Sequence, residues 1–429
     1  MNKKVYRKIK GFRDIFGDEI YYWHIVENNV KEIFHCYGYE EVKLPILERL
    51  EVFRKGLGDT SDIVDKEMFS FVDRDNQTVV LRPEGTASVV RFYIENNLYN
   101  TNKIDRFYYY GPMFRRENPQ KGRFRQFYQV GVEALGSASS FLDSEVIKLF
   151  SDFFKSFNVN LNVQLEINSI GCQICRQSYI EVLLAYLKSK VTHLCDNCSK
   201  KIDSNTLRVL DCKNELCKAT IQNAPEIGDY LCSDCKNHFQ EVKEILDKFN
   251  VAFVVNPKLV RGLDYYMRTA FEMVTDYFGA PIAVGAGGRY DGLIKSLGGP
   301  DIPGIGFAIG VDRLVAILKE LKSVERETIF FVAYQNNSLL DCAIDLLNEL
   351  RENHIKTYVD YDGNSLKSQL KIANKYLADY VLILGDEELE GNYVTVKNMR
   401  SGQQERFNRN NIAITIKSKI INGGVKCFQ

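Results

Sequence analysis

The sequence predicts an α+β fold through about residue 325, interrupted by a small cysteine-rich insertion, followed by a separate α/β domain over 326–429. Three observations predict it. TIFFVAY, KTYVDY and YVLILG are short apolar runs separated by the helical stretches LLDCAIDLLNELREN and SLKSQLKIANKYLA, a β-α-β-α-β rhythm that implies a parallel sheet covered by helices. Upstream, strand-like sequence recurs without that rhythm, as MFSFVD, TVVLRPE and the strand pair within 111–133. Eight of the eleven cysteines crowd between positions 172 and 235, between two stretches of strand sequence. At 429 residues the chain is too long for one core, which agrees with more than one domain.

In chain order, DEIYYWHIVENNVKEIFHCYGYEEVKLPILERL reads as an amphipathic helix ending near Gly38, then a strand entering Pro45. The strands MFSFVD and TVVLRPE follow, with a helix starting near Thr86. After the strand pair, SSFLDSEVIKLFSDFFKSF carries apolar residues at helical spacing, and LNVQLEINSIG is a strand leading into the insertion at about 172–250. Strand sequence returns at VAFVVNPKLVRGLDYYMRTAFEMVTDYFG, GAPIAVGAGGRYDGL and GIGFAIG, the last running into the helix VDRLVAILKEL.

Composition excludes several classes. Apolar residues make up 45% and charged residues 26%, values of an ordinary globular protein. No apolar run approaches the roughly 20 residues of a membrane helix. MNKKVYRKIKGF is basic but lacks the apolar segment of a signal peptide, so cytoplasmic residence and no membrane partner are expected. Lys plus Arg equals Asp plus Glu at 56 each, so a nucleic-acid partner would have to be held by local patches.

One such patch is GPMFRRENPQKGRFRQFYQVGVE, 111–133, where Arg115, Arg116, Lys121, Arg123 and Arg125 fall within eleven positions. Period two puts Met113, Arg115 and Glu117 on one face of the first strand. It puts Arg123, Arg125, Phe127, Gln129, Gly131 and Glu133 on one face of the second. A turn near Lys121-Gly122 would set Arg115 opposite about Gln129, with Gly131 leaving an open floor between polar side chains. The face is either a solvated sheet surface with cross-strand ion pairs or a site whose guanidiniums grip phosphate and carboxylate. Arg313 falls in the first turn of its helix, where the dipole disfavours a cation, so either a ligand there needs it or it merely reaches solvent or a neighbouring carboxylate.

FRREN, the basic loop and RQFYQVGVE resemble motif 2 of the class II aminoacyl-tRNA synthetases in its histidyl form. KLPILER at 43–49 resembles motif 1, the dimer motif, and LRPEGT at 81–86, LVRGLDYY at 259–266, GGRYDGL at 287–293 and GIGFAIGVDRL at 304–314 follow in family order. Only GFRDIFGDE departs from the usual pattern, with Gly17 where proline is common.

The resemblance implies a class II catalytic domain over 1–325, an antiparallel sheet with flanking helices, and an anticodon-binding domain over 326–429. It implies a homodimer that joins L-histidine to tRNA(His) through a histidyl-adenylate, using ATP and Mg²⁺. The alternative within the same family is a catalytically inactive regulatory or tRNA-sensing protein. By resemblance the catalytic cations are Arg115, Arg261 and Arg313, with Glu117 and Arg123 as further ATP contacts. Glu133 and Tyr266 would take the imidazole, Tyr290 would line its pocket, Glu84 and Thr86 would receive the α-ammonium, and Gln129 and Arg261 the carboxylate. Strict alternation puts Arg261 and Tyr266 on opposite faces of one strand, so RGLDYY must be loop or bulged if both reach the site.

Three C-x-x-C pairs, at 172–175, 195–198 and 232–235, with Cys212 and Cys217 between them, are either reduced cysteines or ligands of structural Zn²⁺. Cys195, Cys198, Cys232 and Cys235 form the candidate tetrad.

Overall fold

The computed structural model describes residues 6–58, 63–101, 103–118, 122–203, 205–261, 263, 265–323 and 327–421. Lys121 and the turn expected beside it, Gly262 and Asp264 of RGLDYY, Cys427 and the residues at the expected domain boundary lie outside these. The chain divides into two compact units, Met1–Val324 and Glu325–Gln429. No described helix is long and apolar enough to cross a membrane.

The first unit is built on an eight-stranded sheet of β1 (Glu40–Glu41), β5 (Asp105–Phe114), β6 (Gln126–Leu135), β7 (Val163–Ser169), β8 (Val254–Val255), β9 (Met267–Thr275), β10 (Ile282–Arg289) and β11 (Gly304–Gly310). Its order is β1-β5-β6-β11-β10-β9-β7-β8. The inner pairings are antiparallel, and a parallel pair closes each edge. A small antiparallel sheet of β2 (Leu47–Arg49), β3 (Phe69–Val72) and β4 (Thr78–Leu81) accompanies it.

One face of the large sheet is covered by helices. Glu19–Cys36 buries Tyr22, Trp23, Val26, Val30 and Phe34, a helical stripe, and Ser140–Lys155 and Val311–Leu321 pack beside it. Strand alternation sends Val130, Val132 and Ala134 into that core, so Gln129, Gly131 and Glu133 face the other way. The opposite face is where the cavity described below opens.

The insertion is helical: Gln173–Ser189, Asp196–Lys201, Glu215–Gln222 and Ser233–Lys248. Its apolar residues Tyr179, Leu183, Leu187, Leu194, Val209 and Ile227 join a core that also holds Tyr109, Tyr266 and Tyr290. Ser233–Lys248 instead packs Val242 and Leu246 under the large sheet.

In the second unit β12 (Phe330–Tyr334), β13 (Thr357–Val359) and β14 (Tyr380–Leu384) are parallel, matching the β-α-β-α-β rhythm. The sheet then continues antiparallel through β15 (Tyr393–Asn398) and β16 (Gln404–Asn408), which the sequence reading did not include. β16 buries only Phe407, so its apolar pattern is weak and its place depends on backbone pairing to β15.

Candidate active site

The face of the large sheet that carries Gln129 opens onto a cavity of about 620 Å³. Glu84, Thr86, Arg115, Glu117, Arg123, Gln129, Arg261, Tyr266 and Arg313 all line it. These residues come from four separate sequence stretches, and the cavity gathers them.

The cationic side is braced from behind. Arg115 Nε donates to the Pro83 carbonyl at 2.9 Å, and its guanidinium lies 5.2 Å from the Phe127 ring centre. Arg123 pairs with Glu117 at 3.2 Å. Arg313 does sit in the first turn of Val311–Leu321 and donates to the Ala283 carbonyl at 2.5 Å. Burial first, then the charge of Arg123, with that of Arg115 adding to it, holds the Arg313 pKa below its ordinary value, while Glu117 opposes. Three like charges around one space form a ready receptor for phosphate.

Arg261 sits in a loop, because strand β9 begins only at Met267. That resolves how it shares the cavity with Tyr266: its guanidinium lies 5.3 Å over the Tyr266 ring, and Nη1 faces Glu272 Oε2 at 3.4 Å. Its Nε, like Gln129 Oε1, is buried with no hydrogen-bond partner among the described residues. Orphaned polar atoms at a cavity wall mark where a ligand's groups would be satisfied.

The polar floor is more enclosed. Glu84 caps the helix Thr86–Glu95, its carboxylate accepting from the Thr86 and Ala87 amides at 2.6 and 2.9 Å. The Thr86 hydroxyl donates to Glu133 at 2.7 Å, and the Tyr290 hydroxyl donates to the other oxygen of Glu133. Glu133 is fully buried, and burial pushes its pKa up to about 8 against those two hydrogen bonds.

Glu133 and Tyr290 are fully buried behind the open cavity, with the Thr86 hydroxyl between Glu133 and that space, and Tyr290 holds Glu133 from the far side.

The register of the charged strand pair differs from the expected one. Gln129 faces Gly111, not Arg115, and the Arg115 amide donates to the Arg125 carbonyl at 2.9 Å. Gly131 leaves no open floor. A Cβ there would come within 2.4 Å of the Tyr109 ring and hydroxyl and 2.8 Å of the Phe307 carbonyl. Tyr109 fills that space and also crowds Gly85, a pillar between the motifs that the sequence reading did not single out. The cavity has a further wall that reading missed: Arg208, Asp211 and Lys213, with Cys198 and Cys212, come from the insertion. Nothing local in the sequence marks them, since long-range packing brings them there.

The eight clustered cysteines form two tetrads. Cys172, Cys175, Cys232 and Cys235 are one, and Cys195, Cys198, Cys212 and Cys217 the other, with the ligating atoms of each within 4.8 Å of one another. The expected tetrad of Cys195, Cys198, Cys232 and Cys235 is therefore corrected. The insertion is nested, so its two ends meet in one tetrad and its interior closes on the other.

All eight are free thiols, and Cys172 and Cys175 stand 3.5 Å apart, Cys195 and Cys212 3.8 Å apart. Four sulfurs about 2.3 Å from a tetrahedral Zn²⁺ would be about 3.8 Å apart, so the donor set fits that ion. Backbone amides of Cys195 and Cys232 donate to the sulfurs of Cys217 and Cys175 at 3.1 Å. Cys172, Cys195 and Cys232 each precede a helix N-terminus, whose dipole favours thiolate. The amide of Cys198 draws the Cys195 thiol down to about 7.

An antiparallel sheet backed by helices, a cavity ringed by arginines of successive motifs and a separate α/β unit define a class II aminoacyl-tRNA synthetase with an anticodon-binding domain. The histidyl-tRNA synthetase family matches residues 11–314, and the anticodon-binding domain family matches 329–419. The chain belongs to the histidyl-tRNA synthetase family.

A histidine–tRNA ligase of Thermodesulfovibrio yellowstonii is 45% identical over 415 residues, covering 96% of this chain and 99% of that one. The crystal structure of apo S. aureus histidyl-tRNA synthetase aligns with a TM-score of 0.79 at 34% identity, covering 96% of this chain and all of that one. A Bacillus halodurans structure described as an ATP phosphoribosyltransferase regulatory subunit/histidyl-tRNA synthetase shares the fold, with a TM-score of 0.65 at 21% identity over 90% of this chain and 99% of that one.

Proposed function

We infer that this chain is a histidine–tRNA ligase: it joins L-histidine to tRNA(His) through a histidyl-adenylate formed from ATP. The observation that carries this is the single cavity lined by Arg115, Arg261 and Arg313 together with Glu84, Thr86, Gln129 and Tyr266. Cations for a phosphate and polar groups for an amino acid share one space.

In the first step the histidine carboxylate attacks the α-phosphorus of ATP and pyrophosphate leaves. Negative charge gathers on the phosphoryl oxygens, and fixed guanidiniums aimed there lower the barrier. Arg115 and Arg313 act on the α-phosphate, and Arg261 bridges it to the histidine carboxylate. Glu117 takes the adenine side and Arg123 the outer phosphates. Gln129 donates its side-chain amide N–H to the histidine carboxylate, and Glu84 and Thr86 receive the ammonium.

The imidazole enters beside Tyr266 and reaches Glu133 by displacing the Thr86 hydroxyl from it. Tyr290 keeps the carboxylate in place. In the second step the terminal ribose hydroxyl of tRNA(His) attacks the adenylate carbonyl, AMP leaves, and a substrate phosphate oxygen takes the proton. ATP would enter with Mg²⁺, which would neutralise phosphate charge when bound.

Each cysteine tetrad holds one Zn²⁺ in a structural role, since the reaction needs no Lewis acid beyond Mg²⁺. The chain works as a homodimer; exposed Ile46 and Leu47 of the dimer-like motif, with Phe71 and Val72 on the same small sheet, are apolar surface suited to a second copy. Its substrates suit a cytoplasmic location, and 326–429 reads the anticodon. The regulatory or tRNA-sensing alternative is disfavoured by the presence of all three arginines and of the C-terminal unit. Aminoacylation with purified protein tests the reading: tRNA(His) should be charged with histidine, and a chain that charges no tRNA under conditions where it is folded would overturn it.

A further inference from the structure

Tyr266 stands just before β9 begins at Met267, and the first residues of the insertion hold its backbone from behind. β7 and β9 pair as far as Ser169 and Thr269, and two backbone bonds carry that pairing onward. The Ile170 amide donates to the Arg268 carbonyl at 2.7 Å, and the Arg268 amide donates to the Gly171 carbonyl at 2.9 Å. Arg268 itself is left-handed, with φ of +51°. A non-glycine residue keeps such a conformation at a cost of about 1–3 kcal/mol, and only where its surroundings fix it. The Tyr266 ring is packed tightly as well: a Cβ on Gly288 would come within 2.9 Å of it.

Arg176 supplies a further hold. Its Nη1 donates to the Tyr266 carbonyl at 2.8 Å. Arg176 follows Cys175 near the start of the helix Gln173–Ser189, and the first cysteine tetrad pins that turn. Cys175 Sγ lies 3.5 Å from Cys172 Sγ and accepts from the Cys232 amide at 3.1 Å. A Cβ on Gly171, whose φ is +65°, would come within 2.6 Å of the Cys175 Cβ. The backbone bonded to Arg268 and the turn that bears Arg176 therefore pack with little slack. Each link from the cysteines to Tyr266 is a direct contact.

We propose that Arg176 is a positioning residue for histidine recognition: by holding the Tyr266 carbonyl it fixes the Tyr266 side chain at the imidazole site. This rests on the reading that Tyr266 meets the imidazole. A charged donor on a carbonyl makes one of the stronger hydrogen bonds in a protein, and a hydroxyl shifted by about 1 Å is no longer at bonding distance from its partner. The effect falls on histidine and not on ATP, because Arg115, Arg123 and Arg313 come from other elements of the cavity.

Histidine and ATP KM values from ATP–pyrophosphate exchange by the full chain test this. Arg176→Ala should raise the histidine KM about fivefold and change the ATP KM less than about twofold. A residue that only supports folding would lower kcat through lost folded protein and leave both KM values alone. Arg176→Lys keeps a charged donor for the carbonyl and should stay within about twofold of native. Tyr266→Phe should raise the histidine KM by itself, and adding Arg176→Ala to it should change that value less than about twofold, since the two residues act in series. If the alanine variant does not fold, Arg176→Gln, whose shorter side chain does not span to the carbonyl, is read in its place with the same expected rise.

A histidine KM unmoved in Tyr266→Phe overturns the placing of Tyr266 on the imidazole, and this proposal with it. A raised histidine KM in Tyr266→Phe beside a native one in folded Arg176→Ala or Arg176→Gln overturns the role of Arg176 alone. So do equal rises in the alanine and lysine variants, or effects of Arg176→Ala and Tyr266→Phe that multiply in full.

Discussion

If Glu133 takes the imidazole as proposed, histidine recognition should depend on pH. The Glu133 carboxyl is buried, accepts from the hydroxyls of Thr86 and Tyr290, and is shifted up to about 8. Accepting an imidazole N–H requires the ionised form, so the apparent histidine KM should scale as one plus the ratio of proton concentration to the acid constant. With a pKa of about 8, that factor is about 11 at pH 7 and about 1.3 at pH 8.5, an expected fall of about eightfold. Glu133→Gln removes the titration, so its histidine KM should be high and flat across that window while the KM for ATP stays close to native.

Stability gives a second readout with its own sign. A carboxyl raised from 4.5 in the unfolded chain to about 8 contributes stability below pH 4.5 that is lost as pH rises through 8. The glutamine variant should therefore gain on wild type in unfolding free energy as pH rises from 5 to 8, by up to about 1.4 kcal/mol per pH unit, and so rise in Tm relative to it. The assay is histidine-dependent ATP–pyrophosphate exchange at pH 7 and 8.5, with thermal melts alongside. A histidine KM in Glu133→Gln equal to that of wild type at both pH values would refute the reasoning.

Three other outcomes are expected. Arg261→Ala should reduce adenylate formation by about 3–4 kcal/mol while histidine binding weakens less; an exchange rate within threefold of native would sink that role. Gly131→Ala should lower stability by about 1–3 kcal/mol, because the new Cβ meets Tyr109 and the Phe307 backbone at 2.4 and 2.8 Å; an unchanged urea midpoint would show that the pillar yields. Deleting 326–429 should spare pyrophosphate exchange and damage aminoacylation, and a soluble truncated chain that charges tRNA normally would contradict the anticodon assignment.

What the sequence made legible was local. The motif residues Arg115, Arg313, Glu84 and Gln129 are marked by residue type within short segments, and strand alternation put Gln129 and Glu133 on one face. What escaped it depended on distant parts meeting. Tyr109 is one aromatic among several in DRFYYYGPMF, and its filling of the space over Gly131 depends on the β5–β6 register, which pairs Tyr109 with Gly131 and differs from the expected one. The cysteine pairing could not be read from spacing, because sequential and nested closure use the same C-x-x-C signals. Asp211 and Lys213 look like any solvated charges until the insertion folds back on the cavity. β16 went unread because its only buried side chain is Phe407.

The central claim is that one cavity activates histidine with ATP, and isotope exchange between pyrophosphate and ATP reads that step without tRNA. The account predicts exchange that requires histidine, is not supported by other amino acids, and falls on substitution of Arg115, Arg261 or Arg313 singly. Exchange that proceeds equally without histidine, or none at all from folded wild-type protein, would contradict it.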